Sequence, residues 1–237
     1  MRKDAQAVLL LLIGGTLLKI SITGTYVRYV KPGQLPLLVI AGIALVAIAA
    51  VTLTQVLRTS PSPASPDHVH THGEPRVAWL LLLPALALLF APPALGSFQA
   101  SRNGTALSSQ ANSDFPPLPE GDPLRISLLD YAGRAIFDKG RSLQNRHLTL
   151  SGFVVNGPSG ETYLARMIVT CCAADARPVK VGLVGDLPRS LKPDQWIEVQ
   201  GMYVDRADKD SVNAEMIPYV QVSNTKDITA PKEQYES

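Results

Sequence analysis

Tyr163–Val181 reads YLARMIVTCCAADARPVKV, and the rest of the chain takes its meaning from it. β-like residues on either side flank a short break that holds both cysteines of the protein, Cys171 and Cys172. A lone cysteine is most often a small buried hydrophobe. Two in succession on an extended backbone point to opposite faces, so at least one of this pair leaves the core. Asp175 follows closely and offers an oxygen ligand or a charge partner. The stretch therefore predicts two strands joined by a loop that carries chemistry.

Working outward, the apolar pattern has period two from Arg146 onward. His147–Val155, Thr162–Thr170, Val179–Val184, Gln195–Val204 and Val212–Val222 are strand-like runs separated by Gly, Pro, Asn and Asp. Asn156-Gly157-Pro158-Ser159-Gly160 supplies hairpin-turn chemistry between the first two. Five short strands in so little chain predict a small barrel of the oligonucleotide/oligosaccharide-binding (OB-like) type. Before them Ser127–Lys139 places Leu128, Leu129, Ala132, Ala135 and Ile136 at helical spacing, which predicts a short amphipathic helix. The expected β domain is 124–224, followed by a tail at 225–237.

The amino-terminal part has another composition. Residues 1–98 hold three apolar runs, at about 5–23, 35–57 and 77–96, and read as a membrane region with three helical spans. A cleaved secretory leader would end in a small-residue site and lead into a soluble domain, whereas here a second apolar run follows almost at once. The run from Leu35 to Leu57 carries no charge over the length a helix needs to cross a hydrocarbon core about 30 Å thick. Lys19 interrupts the first run, and a charge in hydrocarbon costs on the order of 3 kcal/mol unless it reaches the interface or finds a partner in a neighbouring helix. Residues 99–123 are rich in Ser, Asn, Gly and Pro and read as a linker.

Charge distribution bounds the partners. Residues 1–96 hold seven Lys and Arg against three Asp and Glu, while 97–237 hold fifteen against seventeen. A slightly acidic globular part lacks the basic face that phosphate binding requires, so no nucleic-acid partner is expected. The expected surroundings are membrane lipid, in a multi-pass protein of the cell membrane. The cationic start Arg2-Lys3 favours an amino terminus in the cytoplasm and hence, after three spans, a carboxy-terminal domain outside it.

The loop at 58–76 alternates His68, His70 and His72 with small residues, between Asp67 and Glu74. Several neutral imidazoles on a flexible segment suit zinc, copper or nickel, although such tracts fix no geometry and equally suit a solvated loop.

Three amino-terminal spans, a His-bearing loop, the Gly152-Phe153-Val154 strand and above all the paired cysteines with Ala173-Ala174, Asp175-Ala176 and Pro178 resemble a family of bacterial membrane proteins. Its members are described as one subunit of a two-component membrane permease complex. The resemblance covers the whole chain and is most specific over Arg166–Val179. It implies a plasma-membrane protein acting beside a larger multispan permease subunit. Members often carry more histidines in the loop than this chain does.

Three readings of Cys171 and Cys172 stay open. With Asp175 they are donors for a soft or borderline cation, and zinc and copper are the candidate metals. As neighbours in an oxidising compartment they are a redox pair. Or one packs in the barrel and the other borders Asp175 without chemistry. Arg166 and Arg177 flank the segment as charge partners for Asp175 or as solvated charges. No phosphate loop, nucleophile elbow or HExxH pair is present, and His147 lacks catalytic partners, so the expected function is non-catalytic. An accessory subunit of a transport complex is the first reading, and a stand-alone envelope metal-binding or thiol-redox protein the second. The residues leave any homo-oligomer open.

Overall fold

Short runs rich in β-branched and other apolar residues draw the carboxy-terminal part into sheet, and the sheet closes on itself. The computed structural model describes residues 3–58, 95–107 and 114–236. The chain divides into two units, Met1–Pro93 and Ala94–Ser237.

In the first unit, helix α1 spans Lys3–Ile22 and helix α2 spans Leu35–Arg58. They meet where side chains are smallest. A Cβ at Gly14 would lie 3.0 Å from the carbonyl oxygen of Gly42, and one at Gly42 would lie 2.9 Å from the Leu18 side chain. Close approach of this kind is how apolar helices pack when no water drives them together. Thr16 and Ser21 return their hydroxyls to the carbonyls of Leu12 and Leu17 at 2.7 Å, so neither leaves an unpaired polar group. Lys19 is exposed in the last turn of α1, where a cation complements the carbonyl end of the helix.

Three spans were expected. Among the described residues one helix, Pro32–Arg58, is long and apolar enough to cross a membrane. The first run does form a helix, whose apolar part among the described residues is Gln6–Ile22. The third run, 77–96, and the loop with His68, His70 and His72 lie almost wholly outside the described residues.

The second unit holds a closed five-stranded barrel, as the period-two pattern predicts. Its strands are β2 (Leu148–Asn156), β3 (Thr162–Ile168), β4 (Arg177–Gly185), β5 (Trp196–Lys209) and β6 (Met216–Asp227), with the two-residue strand β1 (Leu124–Arg125) before them. Around the barrel, β2 pairs antiparallel with β3, β3 with β4, β6 with β5 and β5 with β2, while β4 and β6 run parallel. Strand β7 (Tyr235–Glu236) adds in parallel to the outer part of β3.

Both faces of several strands are covered, so their burial is nearly continuous instead of alternating. Leu148, Leu150, Val154, Leu164, Val179, Val181 and Val220 face one core. That core is closed by the helix preceding the barrel, Leu128–Ile136, through Leu128, Tyr131, Ala132 and Ala135. The Ser127 hydroxyl accepts the N–H of Asp130 at 3.0 Å and caps this helix, and Tyr131 donates its hydroxyl to the carbonyl of Tyr219 at 2.5 Å. Phe153, Val155, Tyr163, Ala165, Met167, Ile217 and Tyr219 form a second core, to which Ala100 and Tyr235 also belong.

Two segments differ from their reading as linker and tail. Ser97–Arg102 is a short helix, α3, with Ala100 fully buried, and Thr105, Ala106 and Leu107 are buried against the barrel. The helix of the amphipathic stretch, Leu128–Ile136, is therefore α4. At the other end β6 continues to Asp227, and the last residues return as β7. Hydropathy misses both because short polar segments hold their places by hydrogen bonds to distant side chains.

Candidate functional site

The loop between β3 and β4 is built from its backbone outward. Val169 is buried and anchors its start, and Ala173–Asp175 makes one 3-10 turn before Arg177 opens β4. Asp175 closes it. One carboxylate oxygen accepts the N–H of Thr170 at 2.9 Å and the other that of Cys171 at 2.8 Å, while the Asp175 N–H donates to the carbonyl of Cys172 at 3.1 Å. An aspartate bonding backbone a few residues away is a favoured means of holding such a turn.

That turn presents two free thiols at the rim, Cys171 exposed and Cys172 half-buried, with their sulfurs 3.7 Å apart. The donor atoms of Cys171, Cys172 and Asp175 all lie within 4.8 Å of one another. Two sulfurs each about 2.3 Å from a tetrahedral zinc stand about 3.8 Å apart. The sulfur separation already matches that edge, and the carboxylate supplies a third corner. Three donors at an open rim leave a fourth position for water or an incoming group.

The electrostatics favour a proton where a cation would sit. The hydrogen bond from Cys171 to the Asp175 carboxylate, and after it the contact with Cys172, pushes the Cys171 pKa up to about 11. The same hydrogen bond, followed by the backbone N–H groups of Thr170, Cys171 and Cys172, holds the Asp175 carboxyl below the usual aspartate range. Cys171 is therefore a thiol at neutral pH, and a divalent cation has to displace its proton.

The flanking arginines part company with the site. Arg166 is buried and turns to the tail, donating to the carbonyl of Glu233 at 3.0 Å, with its Nε 3.7 Å from the Glu236 carboxylate and its guanidinium 5.1 Å from the Trp196 ring centre. Its charge partner is the tail, not Asp175. Arg177 is exposed at the start of β4. His147 bonds Asp122 at 2.9 Å on the surface.

Three carboxylates that the sequence did not single out organise the surroundings. Glu236 accepts the N–H groups of Leu128 and Leu129 at 2.9 and 2.8 Å, capping α4 from the far end of the chain. Asp210 meets the buried Lys180 ammonium at 2.9 Å and also accepts the N–H of Thr105 at 2.8 Å. Asp194 takes both the N–H and the hydroxyl of Ser97. No local pattern marks these pairings, since the partners named here lie thirty or more residues away.

The class these features define is a small β-barrel with a dithiol–carboxylate rim, carried by a chain with apolar helices at Lys3–Ile22 and Leu35–Arg58. Two family models match it, the DUF1980 N-terminal domain over residues 5–106 and the DUF1980 C-terminal domain over residues 132–236. Between them they take in most of the sequence, and the chain belongs to the DUF1980 family. No curated protein matches it.

Proposed function

We propose that this protein is a non-catalytic accessory subunit of a membrane permease complex, whose β domain offers Cys171, Cys172 and Asp175 to a soft or borderline cation, zinc or copper. The reading rests on one observation: two free thiols and a carboxylate converge within 4.8 Å at an open rim, with the sulfurs at the spacing of a tetrahedral edge. Three donors with an open corner suit capture and release better than permanent storage, since a structural zinc site is closed by four. Placement outside the cytoplasm and a multispan partner are supported by the apolar amino-terminal part and by the resemblance carried on Arg166–Val179. The histidines of the loop are a second, weaker donor set.

Zinc and copper(I) titration of the full chain in mild detergent tests the cation. The controls are the Cys171→Ser, Cys172→Ser double variant and a variant lacking His68, His70 and His72. One equivalent bound by the wild type and the histidine variant, and lost in the double variant, supports the site. Equal binding in the double variant sinks it. Mass spectrometry of the complex isolated from native membranes should recover a multispan partner. Repeated recovery of this chain alone favours instead a stand-alone metal-binding or thiol-redox protein of the envelope.

A further inference from the structure

The segment that enters the barrel unit leaves one bulky apolar side chain in solvent. Phe98, in α3, is 65% exposed, the most exposed of the large hydrophobic side chains described in Ala94–Ser237. The Arg102 guanidinium stands 4.9 Å from its ring centre. Val212, 48% exposed, lies in the turn before β6. That turn is tied to the same segment, because Asn213 donates its side-chain amide to the carbonyl of Thr105 at 2.9 Å. Ser101 of α3 and Ser211 of the turn line one cleft with Lys209.

None of this segment has slack. Ser97 is bound to Asp194 through both its N–H and its hydroxyl, Thr105 to Asp210, and Leu107 donates its N–H to Glu215 at 2.9 Å. Gly104 packs so closely on Asn213 that a Cβ there would fall 2.2 Å from the amide carbon. The apolar run read as a third span closes at residue 96, two residues before Phe98, and two residues reach at most about 7 Å.

We propose that Phe98 and Arg102 form a lipid-facing seat that rests the barrel unit on the headgroup layer of the membrane. This deepens the membrane reading given above and depends on it. An aromatic ring with a cation over its face matches that layer, where the ring meets the acyl boundary and the guanidinium meets lipid phosphate. Residues 97–107, which follow the apolar run read as a third span, are bonded into the barrel unit.

The test uses the full chain in phosphatidylcholine and phosphatidylglycerol vesicles, in a Cys171→Ser, Cys172→Ser background. A fluorescent label is attached at Phe98→Cys, at Asn224→Cys as an exposed control in β6, and at Ile43→Cys in α2. Lipids spin-labelled near the headgroup should quench residue 98 at least about twofold more than residue 224, with iodide showing the reverse order. If residue 43 is quenched by deep-labelled lipid while residue 98 is quenched no more than 224, the seat is wrong and the membrane reading stands. If residue 43 escapes quenching as well, both fall.

Discussion

Asp175 accepts the backbone N–H of Cys171 at 2.8 Å and its carboxylate pushes the Cys171 thiol pKa up to about 11, so one carboxylate both shapes the loop and suppresses the thiolate. That double duty makes the rim a site where proton and metal compete.

Labelling of Cys171 by iodoacetamide should therefore be slow at neutral pH and rise towards a midpoint of about 11. Asp175→Asn, which removes the negative charge, should return the midpoint towards the ordinary thiol value and speed the reaction at about pH 8. Rates in the Asp175→Asn variant that match the wild type across the pH range would show that the carboxylate does not govern the thiol.

Metal uptake should weaken in acid. Cys171 is protonated below about 11, so each proton displaced makes the affinity fall about tenfold per unit decrease in pH. Asp175, whose pKa is lowered, keeps its charge until the pH drops below the usual aspartate range. Zinc titrations at about pH 6, 7 and 8 read the slope directly, and a flat profile would exclude a thiolate ligand.

Phenylarsine oxide, which bridges paired thiols, should add once to the wild type and resist removal by a monothiol. Either single variant, Cys171→Ser or Cys172→Ser, should lose that resistance, because both sulfurs, 3.7 Å apart, are needed to chelate. Intact-mass spectrometry reads the adduct.

Lys180 and Asp210 are a buried pair with side chains 5% and 2% exposed. Lys180→Ala leaves an uncompensated carboxylate and should lower the stability of the barrel by about 3–5 kcal/mol in denaturant unfolding. Asp210→Ala should cost at least as much, since it also strips acceptors from Thr105 and Val212. A loss under about 1 kcal/mol for both would mean that the pair is solvated in solution.

The tail should respond to pH in the opposite sense from the loop. Burial raises the Glu236 pKa above 4.5, so the docked tail is favoured below that value and loses this contribution as pH rises through the raised one. Glu236→Gln, neutral throughout, should remove the dependence, and Glu236→Ala should cost about 1–2 kcal/mol by orphaning the N–H groups of Leu128 and Leu129. Carboxypeptidase digestion against pH follows the tail.

Much of the fold was legible residue by residue. Period-two runs marked all five barrel strands, though Thr170 and Val212, read as strand ends, fall in loops because Asp175 and Asp210 bend the chain there. The spacing of Leu128, Ala132 and Ala135 marked α4. Adjacent thiols followed by an aspartate marked the rim, while the turn of Arg166 towards Glu236 had no local signal.

What the amino-acid order settled alone was therefore whatever repeats at short range: helix, strand, apolar run, and the neighbourhood of Cys171, Cys172 and Asp175. Only the folded chain decided that residues 97–107 and 233–236 belong to the barrel, and that Lys180 and Asp210 meet. The reason is physical. Hydrogen bonds and ion pairs between groups far apart in sequence leave no periodic trace, and they form only when closure of the sheet brings their partners within reach.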